Sequence, residues 1–305
     1  MRALLLGLAL LPGVAAAQDA CLGSWDRLVA ATEGALAGEP RPGADGWCEA
    51  WDLRLGGTDA VVAFGAESLR WRGEGLGRVA DGTGWPTALA VEAEGLRPVQ
   101  NTGDATLDWL LAVQSARGGI DGRLAAEWDA PARTLSVTEL RADFPGRSAL
   151  RASATLAGVD LSTPGAARTS LGSAALTALD AEVVTDGLFE SYLLLPLGEL
   201  VLGDAPDPQA AYKAAQGRAL EEAVRLPPAS FVGTTPAEVA ELVRDLPSPS
   251  GTLRLSLAAP GGAGLGAPRF ARFALTGVPQ APEELWPALE GLTVGVTWTP
   301  LPPEE

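Results

Sequence analysis

Leu150-Arg151-Ala152-Ser153-Ala154-Thr155-Leu156 alternates without a fault, apolar at Leu150, Ala152, Ala154 and Leu156 and polar at Arg151, Ser153 and Thr155. Successive side chains of a strand point to opposite faces, so the run predicts a sheet with one buried face and one wet face. It belongs to the last of three consecutive predicted strands, Gly122 to Asp129, Thr134 to Phe144 and Ala149 to Leu161. The turns between them, Asp129-Ala130-Pro131-Ala132-Arg133 and Phe144-Pro145-Gly146-Arg147-Ser148, hold the residue types that reverse a chain. Such a meander is a scaffold. It predicts a mainly β (α+β) protein built on an extended antiparallel sheet of repeated hairpins.

Upstream, Cys48 to Leu55, with Trp51, Leu53 and Leu55 in alternation, reads as a strand, as do Ala60 to Trp71 and Thr87 to Leu96. Gly56-Gly57-Thr58-Asp59 is a hairpin turn signal between the first two. Ser24 to Leu36 has helical spacing, with Ser24 as its N-cap. Asp104 to Ala116 fits a helix through Leu107, Leu110 and Leu111 and equally a strand through Leu107, Trp109, Leu111 and Val113.

Downstream, Leu171 to Val184 gives an alternating pair of runs. Asp207-Pro208 is an N-cap followed by proline at the first helical position, and opens a helix to about Arg225. Thr235-Pro236-Ala237-Glu238 is a capping box that opens a second helix, with Val239, Leu242, Val243 and Leu246 on one face. Together these helices form an insertion over 207–246. Strands return at Gly251 to Ala258, Arg269 to Thr276 and Leu292 to Trp298. The hairpin that begins Gly122-Arg123-Leu124 is echoed by one that begins Gly251-Thr252-Leu253, which suggests a sheet grown by repeated units.

At 305 residues the chain is long enough to bury a substantial core. Arg2, the apolar stretch Ala3 to Leu11, the Pro12-Gly13 break and Ala15-Ala16-Ala17 read as a secretory leader over 1–17. The expected mature chain starts at Gln18 and resides in the periplasm of a Gram-negative bacterium. A membrane span needs roughly 20 apolar residues. The greasiest later segment, Leu188 to Leu202, is interrupted by Glu190, Pro196 and Glu199, so no transmembrane segment is expected after the leader is removed.

The two cysteines, Cys21 and Cys48, read as one disulfide that pins residues 18–48 to a single β-rich domain over 49–305. Closing a loop of 48 − 21 = 27 residues is worth roughly 3 kcal/mol in the chain-entropy picture. The formal net charge is −16, and −17 once Arg2 leaves with the leader. Such a chain repels phosphate backbones, which argues against nucleic acid as a partner.

Histidine is absent, which removes Ser-His-Asp and Cys-His catalysis, the usual zinc and iron sites and the default general base near neutral pH. Gly261-Gly262-Ala263-Gly264 lacks the Lys-Ser/Thr and the strand-to-helix context of a phosphate cradle. The carboxylate pairs Asp204 with Asp207, Glu221 with Glu222 and Glu283 with Glu284 fall at helix starts or on helix faces, where acids are dipole-favoured or simply solvated. No catalytic residue, metal or cofactor is expected. Of nine tryptophans, Trp51, Trp71, Trp109, Trp128 and Trp298 sit in the apolar phase of strands or candidate strands and read as core. Trp25, Trp47, Trp85 and Trp286 lie in helix or loop contexts and read as surface anchors.

The hairpins behind a leader, with two capped helices followed by Gly251, Leu253, Leu255 and Leu257 at alternate positions, resemble the AsmA-like and related envelope proteins of proteobacteria. The resemblance runs over most of the mature chain and implies a long curved sheet folded over into a groove with an apolar inside. Small residues on the apolar face, Ala125, Ala142, Ala152 and Ala154, leave room for packed helices or for a ligand. The expected function is therefore non-enzymatic binding of a lipid or acyl chain, contacted by Trp128, Leu150, Ala152, Ala154 and Leu156. Two other readings stay open: a carbohydrate-binding or carbohydrate-active β protein, and a structural partner of another envelope protein.

Overall fold

The computed structural model describes residues 12–56, 62–100, 103–115, 118–203, 205–262, 264–267, 269, 284 and 286–302. Residues 1–11 of the leader expected over 1–17, the turn expected at 57–59 and nearly all of the strand expected at Arg269 to Thr276 lie outside the described residues. One antiparallel sheet carries the fold. Its strands are β1 (Leu36–Pro42), β2 (Cys48–Leu55), β3 (Val62–Glu74), β4 (Ala88–Gln100), β5 (Ile120–Asp129) and β6 (Thr134–Asp143). They continue with β7 (Ala149–Ala157), β8 (Ala175–Thr185), β9 (Gly251–Ala258), the two-residue β10 (Leu265–Gly266) and β11 (Thr293–Pro300). Spatial order follows the chain from β1 to β9, β11 flanks β9, and β10 pairs the start of β8. The sheet is open, with β1 and β11 as its edges.

The meander β5-β6-β7 lies at its heart, turned as its sequence predicts. The Asp129 carboxylate accepts from the Ala132 N–H at 3.0 Å, and Phe144 N–H donates to the Ser148 carbonyl at 3.0 Å. β9, which opens the echo at Gly251, pairs with β8 and β11, and the echo's other predicted strand lies outside the described residues.

Helices fill the connections. α1 (Pro12–Ala31) begins well before Ser24, so Ser24 is no N-cap. Its buried hydroxyl donates to the Cys21 carbonyl at 2.8 Å, as a mid-helix serine does, and accepts from the Trp71 indole N–H at 3.0 Å. The helix ends before Leu36, where Glu33 takes a left-handed conformation (φ 54°) and Gly34 N–H reaches back to the Val29 carbonyl. α2 (Leu76–Ala80) lies between β3 and β4 and packs on α1.

The ambiguous stretch after β4 is helical, α3 (Ala105–Ser115), because the Asp104 carboxylate caps the Thr106 and Leu107 N–H groups at 2.8 and 3.0 Å. The pair of runs expected over Leu171 to Val184 is instead the end of α4 (Pro164–Leu171) followed by the single strand β8. Thr163 caps α4 by accepting from Ala166 N–H, with Pro164 at its first turn.

β8 and β9 are neighbours, so residues 186–250 form an insertion within one hairpin. It holds three helices where two were read. A wide π-helical turn, Phe189–Leu193, runs into α5 (Leu194–Leu202). α6 (Pro208–Arg225) starts as predicted, the Asp207 carboxylate accepting from Ala210 N–H at 3.0 Å. α7 (Thr235–Asp245) follows, and a short α8 (Trp286–Leu289) precedes β11.

The capping box expected at the start of α7 is not made. Thr235 and Glu238 turn outward to the sheet edge: the Thr235 hydroxyl accepts from Val296 N–H at 3.1 Å, and the Glu238 carboxylate accepts from Trp298 N–H at 3.0 Å. With Val294 N–H donating to the Ser230 carbonyl and Val232 N–H to the Val294 carbonyl, the free edge of β11 is sealed. The opposite edge strand carries Pro40 and Pro42, which lack the N–H an added strand would need.

Two apolar clusters pack against the sheet, one at β1 to β3 and one at its centre. In the first, Trp25 of α1 stacks on Trp71 of β3 with ring centroids 5.7 Å apart, surrounded by Cys21, Leu36, Cys48, Ala50 and Leu53. The Cys21–Cys48 disulfide ties α1 to β2 within it, with the Cα atoms 5.5 Å apart. In the second, Trp128, Val159, Leu161 and Ala167 bring β5, the loop after β7 and α4 together.

Candidate functional site

The polar face is ordered across its width. Arg41, Glu49, Arg70, Glu92, Arg123, Arg141, Arg151, Glu182 and Arg254 are direct neighbours on nine successive strands, β1 to β9. Six of the eight adjacent pairs are opposite in sign. Cross-strand pairs of this kind stabilise a sheet and fix its register, whereas like charges opposed across strands weaken it. The two like pairs fall at Arg123, Arg141 and Arg151, and here flanking acids intervene. Glu139, two residues from Arg141 on the same face of β6, lies 3.1 Å from the Arg123 guanidinium, and Asp143 lies 2.6 Å from that of Arg141. Glu182 closes the row by bridging Arg151 at 3.4 Å and Arg254 at 2.9 Å. Every charge in the strip is thus partnered, and the strip orders the sheet without presenting a convergent ligand site.

The residues predicted to hold a ligand lie on the opposite face. Trp128 is buried, its indole N–H donating to the Val159 carbonyl at 3.0 Å, and Leu156 packs into the same cluster. Leu150, Ala152 and Ala154 are half-buried on β7. Ala152 lies between Leu140 and Ala181, and Ala154 between Val137 and Leu179. Leu140 in that patch is exposed. The five residues therefore share one face, two of them inside a packed cluster and three along its half-covered continuation.

The tryptophans divide differently from their sequence contexts. Trp71, Trp128 and Trp298 are buried as expected, but Trp109 is 64% exposed and Trp51 is 38% exposed. Trp51 stays on the polar face beneath the Arg41 guanidinium, 5.0 Å from its ring, because left-handed backbone at Asp52 (φ 51°) kinks β2 and turns Leu53 inward. Trp25 and Trp47 are buried, not surface anchors. Trp25 faces the sheet from α1, and Trp47 is covered by the guanidinium groups of Arg70 and Arg72, 4.8 and 4.6 Å from its ring. Trp85 is exposed and Trp286 is half-buried.

A better-formed apolar cavity lies in the insertion. Partly open and about 310 Å³ in volume, it lies where α5, α6 and α7 meet, walled by Phe189, Leu194, Leu197, Val201, Ala215 and Val243 among others. Ligand sites span roughly 300 to 1,000 Å³, so this one has room for a single chain and not for a whole two-chain lipid. Tyr212 and Gln216 also border it, but their donors are already engaged. The Tyr212 hydroxyl donates to the Leu246 carbonyl at 2.6 Å, and the Gln216 amide donates to the Val243 carbonyl at 2.9 Å. Burial pushes the Tyr212 phenol above its ordinary pKa. A cavity whose polar donors are spent on its own helices offers an occupant shape and apolar contact.

Sequence reading passed over this site. Leu188 to Leu202 is mostly apolar, and its breaks at Glu190, Pro196 and Glu199 mark it only as unfit for a membrane span. The one available signal was its greasiness beside two capped helices. Comparison with protein-family models, curated proteins and solved structures finds no match to this chain.

Proposed function

We propose that the protein is a non-enzymatic binder of a single apolar chain, such as the acyl chain of a lipid, held in the cavity between α5, α6 and α7. The observation that carries this reading is the cavity wall, apolar throughout and with its neighbouring hydroxyl and amide donors committed to helix carbonyls. The reading includes export. The Cys21–Cys48 disulfide is consistent with an oxidising compartment reached through the leader over 1–17.

Native mass spectrometry of protein purified from a bacterial periplasm, followed by organic extraction, tests the reading. A reproducible mass excess matching a fatty acid or another single-chain lipid is the expected result. Gly198 borders the cavity, and a Cβ added there meets no atom within 4 Å. In Gly198→Leu the added side chain fills the space, while leucine is the better helix former by about 1 kcal/mol, so the variant folds. It should lose the bound mass. A bare wild-type polypeptide that also takes up no added palmitate refutes the proposal, as does a Gly198→Leu variant that carries as much ligand as wild type.

A further inference from the structure

We infer that the end of the sheet bearing α3 and α5 rests on the surface of a neutral phospholipid bilayer. Strand register fixes which connections share that end. Leu55 pairs with Phe64, Phe64 with Pro98, Leu96 with Ile120, Asp121 with Asp143, Asp143 with Ala149, and Thr185 with Gly251. So α3, the β6-β7 turn and the whole 186–250 insertion leave from one end. Most of the large exposed apolar side chains among the described residues gather there, though Leu28, Trp85, Leu171 and Val224 are exposed elsewhere. α3 shows Leu107, Trp109, Leu110 and Val113 at 43 to 64% exposure, and the π turn with α5 shows Tyr192, Leu193, Leu194, Leu197 and Val201 at 39 to 52%. Leu55, Phe64 and Leu96 are exposed at the strand ends between β2 and β4.

Three features select a bilayer as the partner. First, the patch is broad: from β2 to β8 it spans six strand spacings, about 29 Å, which suits a flat surface better than a peptide groove. Second, it contains Trp109 and Tyr192, rings with an apolar body and a polar tip that settle at the boundary between acyl chains and headgroups. Third, no lysine or arginine occurs in 103–115 or 187–203, in a chain of net charge −16. The attraction is therefore apolar and the headgroups it tolerates are neutral. The inference goes beyond the ligand reading and rests on it in one respect only: Leu194, Leu197 and Val201 both wall the cavity and belong to the patch, so a chain leaving the bilayer enters the cavity without crossing water.

The test is co-flotation of the full chain with phosphatidylcholine vesicles. Wild type should float, keep floating in concentrated NaCl, and bind vesicles containing phosphatidylglycerol no better. Trp109→Ser combined with Leu110→Ser should weaken partitioning by at least about tenfold, since each residue withdraws a large apolar side chain from the contact. Both residues are more than half exposed, so the urea midpoint should stay at the wild-type value. The double variant should still carry its ligand by native mass spectrometry, which separates failure of this inference from failure of the cavity reading. Wild type that does not float overturns the inference. So does binding that requires anionic lipid and disappears in salt, or a wild-type dimer that the double variant converts to monomer, which would make the patch an interface between copies.

Discussion

Glu182→Gln probes the charged row at the position where one carboxylate serves two strands. The Arg254 guanidinium donates to it through Nε at 3.0 Å and approaches through Nη2 at 2.9 Å, while Arg151 approaches from the other side at 3.4 Å. Both arginines are more than half exposed, so each pair contributes about 0.2–1 kcal/mol. Neutralising Glu182 also leaves Arg141, Arg151 and Arg254 on nearby strands with no acid from the row between Arg151 and Arg254. Opposed like charges weaken a sheet by a similar amount. The expected loss is about 0.5–2 kcal/mol at low salt. The Debye length falls from about 10 Å at 0.1 M to about 3 Å at 1 M, so concentrated NaCl should remove most of that loss. Urea is the denaturant of choice, because guanidinium chloride is itself a screening salt. Midpoints of wild type, Glu182→Gln, Arg254→Gln and the double variant at low and high NaCl give the coupling between the pair. A coupling of zero, or a loss that is the same at both salt concentrations, refutes the electrostatic account of the row.

Thr235→Val keeps shape but leaves Val296 N–H without its acceptor in a position where Thr235 is 1% exposed; urea unfolding should show a loss of about 1–3 kcal/mol, and a loss near zero would mean the hydroxyl does not seal the edge. Trp25→Ala removes a 5% exposed ring stacked on Trp71, and should cost about 3–5 kcal/mol by the same assay. The Tyr212 phenol is raised above 10.0 by burial, so its neutral form is the one the fold favours. That stabilisation is complete below the unfolded pKa and is lost as pH rises through the folded value. Phenolate absorbance in a Tyr192→Phe background should therefore give a midpoint above 10, and a midpoint at or below 10 contradicts the packing around Tyr212.

Much of the sheet was legible because its signal is local. The alternation through Leu150 to Leu156, the bounds of β2 and β9, and the Asp207-Pro208 start of α6 depend on residues a few positions apart. Where local and distant claims compete, the local reading fails. Thr235-Pro236-Ala237-Glu238 has every residue of a capping box, yet the N–H groups of Val296 and Trp298, on an edge with no strand beyond it, take both side chains. Ser24 has the chemistry of a cap, but the Trp71 indole gives it a buried partner in mid-helix. Trp51 reads as core by parity, and one left-handed residue, Asp52, breaks the parity. The charged row is equally invisible in sequence. Its arginines and glutamates are ordinary polar-phase residues, and their alignment depends on strand register, which extra residues in β4, β6 and β8 shift along the sheet.

The same observations restrict how this sheet meets other molecules. An antiparallel sheet normally associates through its edges, where unpaired N–H and C=O groups await a partner. Here β1 is interrupted by Pro40 and Pro42, and β11 spends its outward N–H groups on Ser230, Thr235 and Glu238. The polar face satisfies its charges internally through the row from Arg41 to Arg254. Apolar side chains are nonetheless left in water in number at one end, on α3 and α5. Exposed apolar surface that is gathered in one place, on a protein whose edges are blocked and whose polar face is self-satisfied, marks the place where contact is made. Thr235→Val should therefore add edge-to-edge aggregation that wild type lacks, whereas Trp109→Ser with Leu110→Ser should change what the protein touches and leave the sheet itself intact.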